Sequence, residues 1–276
     1  MTETTLERRA NAAERRLDSL STYETATIEH ISRFDTSAFE TPEELPLDEF
    51  EPCDVGFVWE RDRETTPADR READIDPLSV SKLPPELAVG QNVWFRLRGS
   101  IPDSMAGHPV DLRFVAAPVN GPDEGLGTPR VECLCFRDGE PCGAFDDGHA
   151  EIRLTESASG GESFDVLVEA GTTTLWGQLD VDRFVLETAE LLATRERVQE
   201  LHRNVAVLND LQAELPADSI NREKILREIQ NASHTFDYQA ADERTYRTSA
   251  DSALETLDEL KSDLTSELTG HELTAV

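Results

Sequence analysis

The chain has few lysines, few aromatic side chains and no long apolar run. Lys82, Lys224 and Lys261 are its only lysines, and every other cation is an arginine. Aromatic residues make up 6% of the sequence and apolar residues 38%. No stretch approaches the ~18 consecutive apolar residues of a membrane span. Residues 1–20 also lack the apolar core of a secretory leader. The expected location is the cytoplasm, where disulfides are rare, so Cys53, Cys133, Cys135 and Cys142 are expected as thiols. Positive charge is scarce as well: 26 Lys and Arg stand against 57 Asp and Glu, a net charge of −31. A surface of that sign repels phosphate backbones and anionic headgroups, which excludes nucleic acid and membrane as partners. The familiar catalytic signatures are missing too. There is no H-E-x-x-H, no G-x-S-x-G, no P-loop and no G-x-G-x-x-G after a strand.

The acidity has two physical readings. Low hydrophobicity with high net charge is a signature of disorder. It is also what a compact protein carries in a very salty cytosol, where a Debye length of ~3 Å near 1 M screens self-repulsion. The acids are spread along the chain and arginine replaces lysine. The reading adopted is therefore halophilic adaptation, with disorder confined to the first linker. The length prior gives about two domains of ~150 residues each.

The hydrophobic pattern organises the chain around residues 92–179. Val93–Arg98, Val110–Phe114, Arg130–Arg137, Glu151–Leu154, Phe164–Glu169 and Leu175–Leu179 read as short strands. Gly-, Pro- and Asp-rich turns separate them, including the hairpin signal Asp138-Gly139. This predicts an α+β chain: an antiparallel β-sandwich of jelly-roll, galactose-binding-like type, flanked by an N-terminal helix and a C-terminal helical region. Residues 1–35 are expected to be the helix. It opens with the capping box Thr4-x-x-Glu7 and is lined by Leu6, Ala10, Ala13, Leu17 and Leu20, with Ile28, Ile31 and Phe34 continuing the stripe. Residues 36–91 are expected to be an irregular acidic linker with one short strand at Val55–Trp59 and a charged loop over Glu60–Asp76. Residues 180–270 read as a helical connector. One helix runs through Val198, Leu201, Val205 and Leu208 to a stop at Pro216. A second spans Ile220 to Ala232. A third opens at Thr248-x-x-Asp251 and closes at Gly270. Residues 271–276 turn apolar and extended, like the first strand of a further domain.

Candidate chemistry is sparse. Cys133 and Cys135 lie two apart on a strand and share a face, and Cys142 follows across the hairpin. The spacing is not that of a zinc ribbon, and Cys53 is a poor fourth ligand, so these read as packing or surface thiols. His30, His108, His149, His202, His234 and His271 form no ligand motif. His149, beside Asp146-Asp147-Gly148, is the one placed for a ligand or cation contact. Trp59, Trp94 and Trp176 offer either core packing or a flat face for a sugar ring. Carboxylates are so frequent that no pair stands out as a glycosidase dyad.

Three segments resemble a known family. Val93-Trp94-Phe95-Arg96-Leu97-Arg98-Gly99-Ser100-Ile101-Pro102 leads into Gly107-His108-Pro109-Val110-Asp111-Leu112. Phe136-Arg137-Asp138-Gly139-Glu140-Pro141-Cys142-Gly143 follows, with His149 beyond it. Gly161-Glu162-Ser163-Phe164-Asp165-Val166-Leu167-Val168-Glu169 comes third. In this order they resemble the N-terminal domain of class II α-mannosidases of glycoside hydrolase family 38, cytosolic and vacuolar type, over about residues 80–276. The long Ala116–Pro129 loop and the acidic N-terminus depart from that pattern. The resemblance implies that the intact enzyme hydrolyses terminal α-mannosides with retention, through a glycosyl-enzyme intermediate on an Asp and with a divalent metal, zinc. The family places that metal and nucleophile in a catalytic domain that opens with Gly-x-x-His-Ile-Asp. No residue of this chain can be assigned as metal ligand, cofactor ligand or nucleophile, so the chain alone is expected to be inactive. Its expected partners are that catalytic domain, a second copy of the chain and a carbohydrate substrate. The alternatives are a free-standing carbohydrate-binding sandwich and a structural adaptor using the leucine-lined helices.

Overall fold

The computed structural model describes residues 4–36, 41–60, 92–119, 131–146, 149–171 and 183–272. The chain is α+β and divides into two compact units. One combines Met1–Glu24 with Ala193–Val276, and the other is Thr25–Leu192.

The first unit is helical. Helix α1 (Thr5–Ser21) starts where the capping box predicts: Thr4 Oγ1 accepts from the Glu7 amide, and the Glu7 carboxylate accepts from the Thr4 amide. Helices α2 (Glu196–Glu214), α3 (Ile220–Thr235) and α4 (Glu243–Glu272) follow. Their apolar residues recur at three- and four-residue steps, so each helix buries one stripe. Ala10 and Leu17 of α1 share a core with Val198, Leu201, Val205 and Leu208, with Ile225, Leu226 and Ile229, and with Leu254, Leu257 and Leu260. Leu215 and Pro216 end α2 as expected. Helix α4 begins five residues earlier than expected, because the Asp242 carboxylate caps it by accepting from the Thr245 amide at 2.8 Å. It also runs through Gly270 instead of stopping there. A single glycine weakens a helix interior by only about 1 kcal/mol, which does not force an end. His271 and Glu272 are helical, not extended. The strand expected at Leu273–Val276 lies outside the described residues.

The N-terminal helix is shorter than the sequence reading had it. Strands β1 (Thr22–Thr27) and β2 (His30–Thr36) replace its second half. Threonines crowd the 22–27 stretch and favour extended backbone, while Ile31 buries itself opposite Leu97 of the sheet. Ile28, Ile31 and Phe34 lie three apart in sequence but belong to no helix.

The second unit is a two-sheet jelly roll. The further strands are β3 (Glu51–Cys53), β4 (Val58–Glu60), β5 (Asn92–Ser100), β6 (Val110–Pro118), β7 (Glu132–Arg137), β8 (Glu140–Phe145), β9 (Glu151–Thr155), β10 (Ser163–Gly171) and β11 (Arg183–Thr194). One sheet has the order β3-β2-β5-β10-β7-β8. The other runs β1-β11-β6-β9, with β4 also on β11. Phe95 packs against Phe114 and Trp59, with ring centroids 5.4 and 5.5 Å apart, and so joins the two sheets. Phe114 continues to Phe145, and Trp59 to Phe184.

The sandwich is wider than the expected 92–179. It takes in β2, β3 and β4 on one side and β11 on the other. Residues 41–60 are therefore not wholly linker. Leu45 is buried with Trp94 and Phe136, and Phe34 and Phe50 pack against that cluster. This second small core explains why Val93, Trp94 and Phe95 are consecutive and all buried: β5 is covered on both faces. The strand expected at Val55–Trp59 is β4, Val58–Glu60. The expected helical connector from residue 180 opens as strand β11, whose Phe184 pairs with Trp59. The expected Glu60–Asp76 loop (apart from Glu60 itself), the Leu175–Leu179 strand and most of the Ala116–Pro129 loop lie outside the described residues.

Candidate functional site

The thiols are built for packing. Cys133 and Cys135 are buried on β7, and Leu134 between them faces out, the two-residue period the strand demands. Cys142 is exposed on β8, and its Sγ lies 3.4 Å from Cys135 Sγ. Burial pushes the Cys133 thiol up to about 12 and the Cys53 thiol up to about 11. Burial, with Cys142 beside it, also raises the Cys135 thiol. Metal ligation needs thiolates, and these surroundings oppose them. Among the described residues no group of three or more His, Cys, Asp and Glu is placed to hold a metal ion. Among the described residues the zinc implied by the resemblance finds no ligand set, and no chemical step is assigned to it.

The histidines are scattered. His149 Nδ1 lies 3.0 Å from the Asp146 carboxylate, and the two residues form an isolated bridge. That contact is local and exposed. His202 sits 3.9 Å from Asp18. His234 occupies the last turn of α3, where its charge would suit the helix dipole. Trp59 and Trp94 are core residues at 5% and 0% exposure, so neither offers a face to a sugar. Trp176 lies outside the described residues.

What the structure does assemble is a groove of about 850 Å³ at one end of the sandwich. It lies where strands end: Arg98 to Ile101 leaving β5, Glu162 to Asp165 entering β10, Arg137 and Asp138 in the β7–β8 turn, and Leu154 and Thr155 closing β9. Glu29 and His30 complete it at the start of β2. The turn is tight because Asp138 and Gly139 both take positive φ, 52° and 81°. Arg137 Nη1 donates to the Leu154 carbonyl at 2.9 Å, which ties the turn to β9. Phe164 is half-buried and lies over Gly99. A Cβ at position 99 would meet the ring at 3.2 Å, so glycine makes room for it. Asp165 is held by Arg96 through two hydrogen bonds, 2.6 and 3.0 Å, a pairing that raises the Arg96 pKa further. Glu162 Oε1 is buried without a hydrogen-bond partner.

Two arginines mark the groove out. Within the sandwich unit Arg33, Arg96, Arg113, Arg153 and Arg183 each hold a carboxylate. Arg98 and Arg137, the remaining described arginines of that unit, hold none, and both line the groove. Of these groove residues the sequence presents only His30 as a candidate for chemistry, as one of six scattered histidines. The signal was there in one respect: each of the three segments that carry the family resemblance sends residues to this groove. Their convergence is a matter of topology, since β5, β7 and β10 are neighbours in one sheet and are separated by tens of residues in the chain.

Residues 89–192 match the Ams1-like family model of the alpha-mannosidase jelly roll domain. The span covers β5 to β10 and most of β11, and the resemblance carried by the three motifs holds across it. Among solved structures, β-glucuronidase of an uncultured Clostridium sp. aligns at 15% identity and TM-score 0.34, covering 62% of this chain and 29% of that one. Ruminococcus gnavus β-glucuronidase aligns at 11% identity and TM-score 0.28, covering 64% and 31%. The chain spans less than a third of the length of either protein. No curated protein matches.

Proposed function

We propose that this chain is the non-catalytic N-terminal part of an α-mannosidase of glycoside hydrolase family 38. The observation that carries the reading is the alpha-mannosidase jelly roll match over residues 89–192, which falls on one folded sandwich. Its role in the intact enzyme is to pack beside a catalytic domain and frame the cleft in which terminal α-mannosides are cut. Nucleophile, acid and base, and the divalent metal, belong in this reading to the catalytic domain as partner. The sandwich and the leucine-lined helices supply rigid surfaces for it.

The test is an assay of the purified 276-residue chain on an aryl α-mannoside, with and without added zinc. The expected result is no phenol release above buffer. Release that a chelator abolishes would place catalysis in this chain and overturn the reading.

A further inference from the structure

We propose that the groove at the end of the sandwich is a binding subsite for a neutral hexose unit of a glycan. Its volume, about 850 Å³, lies within the ~300–1,000 Å³ range of small-molecule clefts. The first argument is the pairing of charge. The chain carries 57 acids against 26 bases. Five of the seven described arginines of the sandwich hold a carboxylate, whereas Arg98 holds none and Arg137 donates instead to the Leu154 carbonyl, and both line the same groove. The second argument is the buried, unpartnered Oε1 of Glu162. A buried carboxylate oxygen without a donor is costly, so a turn of the side chain toward the groove that Glu162 lines, where a hydroxyl can donate to it, would relieve that cost. The third is Phe164, a half-buried ring beside Gly99 that lines the groove and adds an apolar surface to these polar groups.

The chemistry of the ligand follows from that mixture. An anion would satisfy the arginines but would meet Glu29, Asp138 and Glu162. A cation would satisfy the acids and meet the arginines. Hydroxyls both donate and accept, so a ring carrying several of them serves the guanidiniums and the carboxylates together. Its C–H face rests on Phe164. The inference rests on the groove itself and deepens the proposed function, by giving the non-catalytic part a hold on the glycan.

The experiment is an NMR titration of the full chain with methyl α-mannoside. Parallel titrations use glucuronate and inorganic phosphate, and all are repeated on Arg98→Ala, Glu162→Gln and Phe164→Ala. The expected result is saturable shifts with methyl α-mannoside and a Kd on the order of 1–10 mM, since one sugar ring supplies little binding energy. Each variant should weaken Kd about fivefold or more, while its circular dichroism stays that of the parent. Three results would overturn the proposal: no saturable shift at about 50 mM, far above the ~1 mM scale of weak ligands; preferential binding of phosphate or glucuronate; or unchanged affinity in folded Arg98→Ala and Glu162→Gln. Loss of the subsite would leave the jelly roll reading intact. Turnover by the chain would overturn the non-catalytic reading without touching the subsite.

Discussion

Thr4 and Glu7 illustrate how much a few side chains fix in this molecule. Their reciprocal hydrogen bonds satisfy two amides that would otherwise be orphaned at the start of α1. Glu7 also pairs with Arg222 of α3 within the helical unit. The backbone hydrogen bond from Thr4 holds the Glu7 carboxyl below its ordinary value of 4.5, helped by the Thr4 hydroxyl and Arg222. A lowered folded-state pKa means that the stabilisation is fully present above 4.5 and is lost as pH falls through the folded value. Glu7→Gln should therefore destabilise the chain in denaturant melts at pH 7, and the difference from the parent should shrink in acid. Thr4→Ala should cost about 1 kcal/mol at pH 7. In the sandwich, a Cβ at Gly143 would come within 2.7 Å of Ile152 Cγ2. Gly143→Ala is expected to destabilise by about 1–3 kcal/mol through overpacking. Urea unfolding with an unchanged m-value checks it.

Among the elements, the junction that closes the helical unit depends on Arg195. Its Nη1 donates to the Leu20 and Thr22 carbonyls at 2.9 and 3.0 Å, which satisfies the end of α1. Its Nε bonds the Glu243 carboxylate at the start of α4, and its plane lies over Tyr246 at 4.7 Å. Removing it leaves several groups unpaired together, so Arg195→Ala should cost about 2–3 kcal/mol, and Arg195→Lys should recover little of that because the planar fork is lost. Thermal melts of the two variants decide this. These long-range ties are also why parts of the fold were illegible in the sequence. Helices α2 and α3, the hairpin at Asp138-Gly139 and the alternating strands β6 and β10 all declare themselves by local period. The step from α1 to β1 does not, because Leu17, Leu20, Ile28 and Ile31 keep a helical spacing, yet Leu17 is buried among the helices while Ile31 is buried opposite a sheet partner, Leu97, far along the chain. Strand β11 misleads in the same way. Its Leu186-Glu187-Thr188-Ala189-Glu190-Leu191-Leu192 is built of helix formers, and only pairing inside a sheet makes it extended. The groove was least legible of all, since nothing in the sequence distinguishes Arg98, Arg137 and Glu162 from dozens of other charges, and only the topology brings them together.

Taken whole, the protein is an acid-rich chain of net charge −31 whose two units each carry their own core. Self-repulsion on that scale opposes compaction and is screened by salt. The melting temperature should rise steadily between about 0.1 and 2 M KCl, across which the Debye length falls from ~10 Å to below ~3 Å. A melting temperature that stays flat or falls would contradict the halophilic reading of the acidity. Together the proposed function and the proposed subsite require that the chain hold an α-mannoside without cutting it. The most direct measurement is the real-time NMR spectrum of α-linked mannobiose mixed with the purified chain and zinc. The account predicts broadened, reversibly shifted disaccharide resonances with no free mannose over time. Free mannose accumulating in proportion to the chain, and ceasing with a chelator, would contradict it.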